Sequence, residues 1–266
     1  MSKYLKNCSI LTSTLVGALF TLVPESVFGC IKLFAKCSDE VNIILNRVIA
    51  AITIFIISLL IQGIVNAARC SVTIKGKNYV IKVCYGDLFK MKKYKKIIPF
   101  DECFTTTIGT ESADINENSL CGQYLKLHPI SDIGTLLSQG GLKAKRKSKY
   151  CSLPAYEPGR MILKEDFLLM AFAKLNKDGL GELTRSEYIN CLGVMWEEIG
   201  RWHGGDSICV PVLGSGVTNL AESQLSQQEL LDIMIHSYML VANKLKLPQK
   251  LCIICRRKEG FSLNNI

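Results

Sequence analysis

The sequence predicts an α/β domain, with a mixed and largely parallel sheet flanked by helices, preceded by two transmembrane helices. Two observations carry that expectation. Residues 167–255 read strand–helix–strand–helix–strand, the order that lays helices over a parallel sheet. In addition, two N-terminal stretches, Asn7–Pro24 and Val48–Ala68, carry no charge in a 266-residue chain that is 21% charged and 48% apolar. The length fits one ordinary domain with an addition, or two small ones. The charge content excludes a disordered chain, and seven prolines and twenty glycines exclude a collagen-like or low-complexity one.

Val48–Ala68, bracketed by Arg47 and Arg69, would cover ~31 Å as a helix, matching a hydrocarbon core of ~30 Å. A buried helix of a soluble core is the alternative for such a run, and its length and flanks favour the membrane. Asn7–Pro24 is a weaker span. Lys3 and Lys6 before it would also suit a signal peptide, and Val27-Phe28-Gly29-Cys30 faintly resembles a lipoprotein cleavage site. Glu25 interrupts that approach and Phe28 is bulky where a small residue is usual, so a first transmembrane helix is expected. Two spans leave both chain ends on one side. That side holds Lys3, Lys6, Arg69, Lys75 and Lys77, against Lys32, Lys36 and Arg47 in the intervening loop, which places both ends in the cytoplasm. The chain then divides into a two-helix anchor or effector region, 1–69, and a cytoplasmic domain, 70–266.

The net charge of +9 is uneven. Residues 1–80 hold eight Lys and Arg against three acids, 81–160 thirteen against eight, and 161–266 eleven against twelve. A nucleic-acid binder or a membrane protein with a basic cytoplasmic face shows such a bias. The apolar runs decide for the membrane, and no nucleic-acid partner is expected. Twelve scattered cysteines without framework spacing read as free thiols in a reducing compartment. Cys252-x-x-Cys255 lacks a second pair or nearby histidines to complete a zinc site, and its neighbours Leu251, Ile253 and Ile254 read as a buried strand.

Beyond the spans, Val72–Val83 alternates as two strands around a Lys75–Asn78 turn. Ile97–Phe100 suits a short buried strand ending in Asp101 and Glu102. Residues 105–160 are polar with few apolar periods. Their basic run, Lys143–Lys149, reads as a solvated loop or as a contact for anionic headgroups. Phe167–Leu175 is apolar, and Asn176–Glu182 is a turn. Asn176, Asp178, Gly181 and Glu187 sit at calcium-loop spacing, but Leu180 cannot coordinate at position five, and Thr184-x-x-Glu187 equally reads as a capping box. No metal is expected. A helix follows over Arg185–Arg201, then a strand over Asp206–Leu213. A second capping box, Ser226-x-x-Glu229, opens a helix to about Lys244, and Leu251–Cys255 is the last strand.

Leu213–Val217, containing Gly214-Ser215-Gly216, follows a strand, and a glycine-rich loop there lets backbone N–H groups approach a phosphate. A plain tight turn would use the same residues. Asp87 also follows a strand and could accept a hydrogen bond from an exocyclic amine, or simply serve a turn. His128, His203 and His236 are dispersed, and no nucleophile motif is present. From residues alone, this is a membrane-anchored α/β domain suited to a phosphate-bearing small molecule.

Tyr85-Gly86-Asp87-Leu88, Pro99–Phe104, Ser119–Gln123 and Pro211–Gly216 occur in the order seen in macro domains. With the two spans, the chain most resembles the macro-domain transmembrane effectors of Thoeris anti-phage defence systems. The resemblance, over about 72–256, implies an ADP-ribose-derived ligand and no cofactor. It maps adenine recognition to Asp87 and Leu88 and diphosphate binding to Leu213, Gly214, Ser215, Gly216, Val217 and Thr218. The distal ribose falls to Asp101, where the family has an asparagine, with Glu102 and Phe104 alongside. Thr105–Gly109 replaces the glycine-rich loop of hydrolytic macro domains, which argues for a binding protein rather than an enzyme. The resemblance further implies a nucleotide signal from a TIR-domain partner, with a histidine–ADP-ribose conjugate expected. It also implies a multi-pass place in the bacterial inner membrane, signal-induced homo-oligomers, and membrane disruption that arrests the infected cell.

Overall fold

The computed structural model describes residues 3–30, 38–216, 219–220, 225–246 and 248–266. It forms two compact units, Met1–Arg69 and Cys70–Ile266.

The first unit has three helices, α1 (Lys3–Leu22), α2 (Glu25–Gly29) and α3 (Asp39–Ala68). Pro24, which cannot continue α1, stands at the N-cap of α2. The α3 helix starts nine residues before the uncharged run, because Ser38 caps it by accepting Val41 N–H at 3.4 Å and Asp39 and Glu40 favour its first turn. Near that start, Arg47 pairs with Glu25 at 3.4 Å and lies 5.5 and 5.4 Å from the Phe20 and Phe28 ring centres. Asn46 donates to the Phe28 carbonyl at 2.7 Å. Ile44, Ile52, Leu60 and Ile64 of α3 are exposed, an apolar surface suited to lipid. Both α1 and α3 are long and apolar enough to cross a membrane by length and composition. Lys32 and Lys36 lie outside the described residues.

In the second unit, β1 (Ser71–Lys75) and β2 (Val80–Tyr85) form the expected antiparallel hairpin. The other strands are β3 (Tyr94–Asp101), β4 (Arg146–Lys147), β5 (Pro154–Ala155), β6 (Met161–Lys164), β7 (Phe167–Leu175), β8 (Gly181–Leu183), β9 (Ser207–Pro211), β10 (Asn219–Leu220) and β11 (Leu251–Cys255). The main sheet runs β1-β2-β11-β9-β3-β7-β8-β10, with β6 also paired to β7. Its centre, β2-β11-β9-β3-β7, is wholly parallel, while β1, β6 and β8 join antiparallel. The fold is therefore mixed and largely parallel, as expected.

Alternation along the strands fills two cores. Ile97, Leu168, Met170, Val210 and Ile253 face α6 (Arg185–Trp202) and α7 (Gln227–Val241). Ile98, Phe100, Leu169 and Ala171 face α4 (Leu120–Leu127) and α5 (Ile133–Gln139). The inner strands β3, β7, β9 and β11 are thus buried on both sides, which is why they read as near-continuous apolar runs. Both predicted capping boxes form, Thr184 with Glu187 and Ser226 with Glu229.

Three expectations need correction. Residues 105–160 are not featureless: α4 and α5 lie there, capped by Ser119 and Asp132, but at eight and seven residues they are too short to show a helical period. The basic run is not a free loop, since Arg146–Lys147 pairs with Pro154–Ala155 as a two-stranded ribbon. Lys145 and Lys149 pair with Glu157 and Glu182, and Arg146 with Glu102. The predicted turn ends early, with Gly181 and Glu182 on β8. Asn176 organises that turn by accepting from Asp178 N–H at 2.9 Å and Leu180 N–H at 3.0 Å.

Candidate functional site

Because the five central strands run parallel, their C-terminal ends meet at one sheet edge, where α/β folds seat ligands. There β2 gives way to Gly86-Asp87-Leu88, β3 ends at Asp101, β9 leads into Val212–Gly216, and β11 ends before Arg256. Together with residues 112–116, the start of α4 and residues 179–181 leading into β8, they line a cleft of about 870 Å³. A volume of ~300–1,000 Å³ suits a nucleotide-sized ligand.

Asp87 Oδ1 accepts Phe89 N–H at 3.0 Å and so caps the single 3-10 turn Leu88–Lys90. Lys90 Nζ stands 3.9 Å from the other oxygen, Oδ2, and the carboxylate is half exposed. Leu88, 2% exposed, anchors the turn in the core. Asp101 is buried in the cleft wall. Burial pushes its carboxyl up from the ordinary range, while N–H groups of Cys103 at 2.7 Å and Thr105 at 3.2 Å pull it back.

Glu102 and Phe104, grouped with Asp101 by motif, do not line the cleft. Neighbours at a strand end face opposite ways, and Glu102 turns into the protein. There it accepts from Arg146, from Ser148 Oγ at 2.7 Å and from Leu175 N–H at 3.1 Å. Phe104 is fully buried, with a φ of 55°, packed 5.6 Å from the Phe100 ring and 5.5 Å from the Tyr156 ring.

The glycine loop is held from beneath and behind. Tyr188 Oη donates to the Leu213 carbonyl at 3.2 Å, Ser215 Oγ to the Val212 carbonyl at 2.8 Å, and Lys258 Nζ to the Ser215 carbonyl at 2.6 Å. Gly214 takes a φ of +76°, so the conformational need for glycine falls there and not at Gly216. Among the described residues, a side chain at Gly216 would meet no atom within 4 Å of its Cβ, and Gly216 lines the cleft. Val217 and Thr218 lie outside the described residues.

The structure thus brings Asp87, Leu88, Asp101 and Leu213–Gly216 to one cleft. It adds residues the motifs did not mark, among them Asp114, Gln227 and Arg256, and also Cys121, which lay in the Ser119–Gln123 motif without an assigned role. Arg256 follows a buried strand directly, but as the first of three consecutive cations it carried no signal of its own in the sequence. No histidine lines the cleft among the described residues, and burial first, then Asp101, holds the Cys121 thiol well above its ordinary value. Cys255 is likewise pushed up to about 12 by burial, so the Cys252-x-x-Cys255 pair is a set of inert core thiols. Such a cleft is built to hold a ligand by backbone N–H groups and a few fixed charges.

Known proteins extend this picture. The chain is 26% identical over 257 residues to the Thoeris protein ThsA of Bacillus amyloliquefaciens (strain Y2), covering 93% of this chain and 85% of that protein. Among solved structures, a variant of the Oceanobacillus iheyensis macrodomain aligns with a TM-score of 0.45 at 10% identity, covering 74% of this chain and 95% of that one. A second variant of that macrodomain, solved with ADPR, aligns with a TM-score of 0.40 at 11% identity, covering 71% and 91%. The family described as Thoeris protein ThsA, Macro domain, matches residues 81–256, from the strand that leads to Asp87 through to Arg256. Since that match takes in every described strand end that forms the cleft, the chain belongs to the ThsA macro-domain family of Thoeris proteins.

Proposed function

We propose that the protein is a membrane-anchored receptor and effector of anti-phage defence. Its cleft binds an ADP-ribose-derived signal, a histidine–ADP-ribose conjugate made by a partner TIR-domain protein. Bound copies assemble, and their N-terminal helices disrupt the bacterial inner membrane and arrest the infected cell. The order of groups along the sheet edge carries the ligand reading: Asp87 after β2, the glycine loop after β9, Asp101 at the end of β3. With β11 between them, the ends of β2 and β9 stand about 10 Å apart, roughly the reach of an adenosine from its amino group to its first phosphate. Asp87 then accepts from the adenine amine, the Leu213–Thr218 loop receives the diphosphate, and Asp101 lies towards the distal ribose. Binding without turnover is supported by the groups nearest that ribose: Asp101 is engaged by two backbone N–H groups, and the Cys121 thiol stays protonated. The membrane reading is supported by the two candidate spans.

Calorimetry on the detergent-solubilised full chain tests the ligand, with the histidine conjugate and free ADP-ribose as titrants. Saturable binding with the conjugate recovered intact is expected. Absence of binding to both refutes the receptor reading, and steady breakdown of either makes the protein a membrane-tethered hydrolase. Dye release from vesicles carrying the full chain tests the effector step: release is expected only with the conjugate, and deletion of residues 1–69 should abolish growth arrest. Binding without release would leave a receptor that acts elsewhere than on the bilayer.

A further inference from the structure

Among its described residues the cleft is lined by one cation, Arg256, and three acids, Asp87, Asp101 and Asp114. A polyanion can settle there only if something offsets those carboxylates. Arg256 is the first residue beyond β11, and Cys255 pairs with Tyr85 while Ile254 pairs with Pro211. It therefore stands between Asp87 and the glycine loop. Its backbone is fixed by Gln227, which donates from Nε2 to the Arg256 carbonyl at 2.8 Å and accepts Arg256 N–H at 3.3 Å. Its guanidinium has no hydrogen bond or ion pair among the described residues.

The two cations that follow are already engaged. Arg257 lies 4.4 Å from the Tyr85 ring centre, and Lys258 holds the Ser215 carbonyl. The nearby start of α7 is also occupied, because Ser226 Oγ takes Glu229 N–H at 3.3 Å within the capping box. Among the described cations at this corner, the Arg256 guanidinium is the one left for a ligand.

We propose that Arg256 is a ligand-binding residue of the cleft, its planar guanidinium pairing with two oxygens of the diphosphate of an ADP-ribose-class ligand. This rests on the nucleotide reading above. A guanidinium matches phosphate geometry with two parallel N–H···O bonds, which a lysine ammonium cannot reproduce. The pinned backbone holds the loop whichever side chain stands there, so truncation removes the guanidinium without moving the chain.

The test titrates ADP-ribose into the full chain and its Arg256→Ala and Arg256→Lys variants at about 0.05 M and about 0.3 M NaCl, with thermal unfolding as the check on folding. Arg256→Ala should bind roughly ten- to a hundredfold more weakly at low salt and unfold at the wild-type temperature. Arg256→Lys should fall between the two. The salt dependence decides the role: wild-type affinity should drop with salt and the alanine variant should lose most of that drop. Unchanged affinity, or a weakened affinity that keeps the wild-type salt dependence, overturns the diphosphate contact. Failure of the wild type itself to bind would instead refute the nucleotide reading, and this inference with it.

Discussion

Replacing Glu102 with alanine separates a ligand contact from a structural one. The carboxylate is 1% exposed and accepts from three partners on two segments: Arg146 on β4 with Ser148 just beyond it, and the backbone of Leu175 at the end of β7. Removing it strands the buried Leu175 N–H, at about 1–3 kcal/mol, and deprives Ser148 of its partner, at about 1 kcal/mol. Arg146, 40% exposed, can turn to water and adds little. The loss is about 2–4 kcal/mol, which for a domain of about 200 residues lowers the melting temperature by roughly 4–16 °C. Glu102→Gln keeps an acceptor for Leu175 and should lose about half as much. Thermal unfolding followed by circular dichroism, with ADP-ribose titration well below the transition, reads both effects. The expected result is a large drop in melting temperature with affinity preserved within threefold. A melting temperature within about 2 °C of wild type, together with a tenfold loss of affinity, would refute the reasoning and return Glu102 to the ligand.

Asp87→Ala should weaken ADP-ribose binding roughly tenfold or more, and Asp87→Asn, which keeps the cap on Phe89 N–H, should separate that loss from any disturbance of the turn; titration of both variants checks it, and affinity within twofold of wild type would refute the adenine contact. Gly216→Val should abolish binding without lowering the melting temperature, since among the described residues its Cβ meets no atom within 4 Å. Gly214→Ala, at a φ of +76°, should instead cost about 1–2 kcal/mol of stability, read from the same unfolding curves. For Asp101, burial raises the folded-state pKa above the unfolded one, so its share of stability is fully present below the ordinary carboxylate pKa and is lost as pH rises through the raised value. Asp101→Asn should therefore flatten the dependence of melting temperature on pH in the mildly acidic range; an unchanged slope would refute this.

What could be read from residues alone follows the physics of each signal. Capping boxes at Thr184 and Ser226 mark helix starts because side chain and backbone satisfy each other locally, whatever the tertiary setting. Strands such as β11 announce themselves because burial on both faces permits no polar residue. The positions of Asp87 and Leu213–Gly216 after strands were legible for the same reason. The short helices α4 and α5 were not, since two turns hold too few apolar residues for a period. Glu102 illustrates a deeper limit: beside Asp101 in sequence it shares a motif, yet the pleat sends it to Leu175, seventy-three residues away. Arg256 was hidden because the first of three cations after a strand looks like any solvated residue until its neighbours in the sheet are known.

The placement of β11 also bears on how the protein comes into being. This strand is made after every other strand of the sheet, yet it lies between β2 and β9. Until residue 255 has left the ribosome, the β1-β2 hairpin has no partner in the main sheet and Arg256 has no place to stand. The apolar helices α1 and α3 are synthesised about two hundred residues earlier and can form while the rest of the chain is still growing. An unfinished molecule would therefore hold its two long apolar helices before its cleft exists, and nothing can seat on the sheet edge until the last strand is in place.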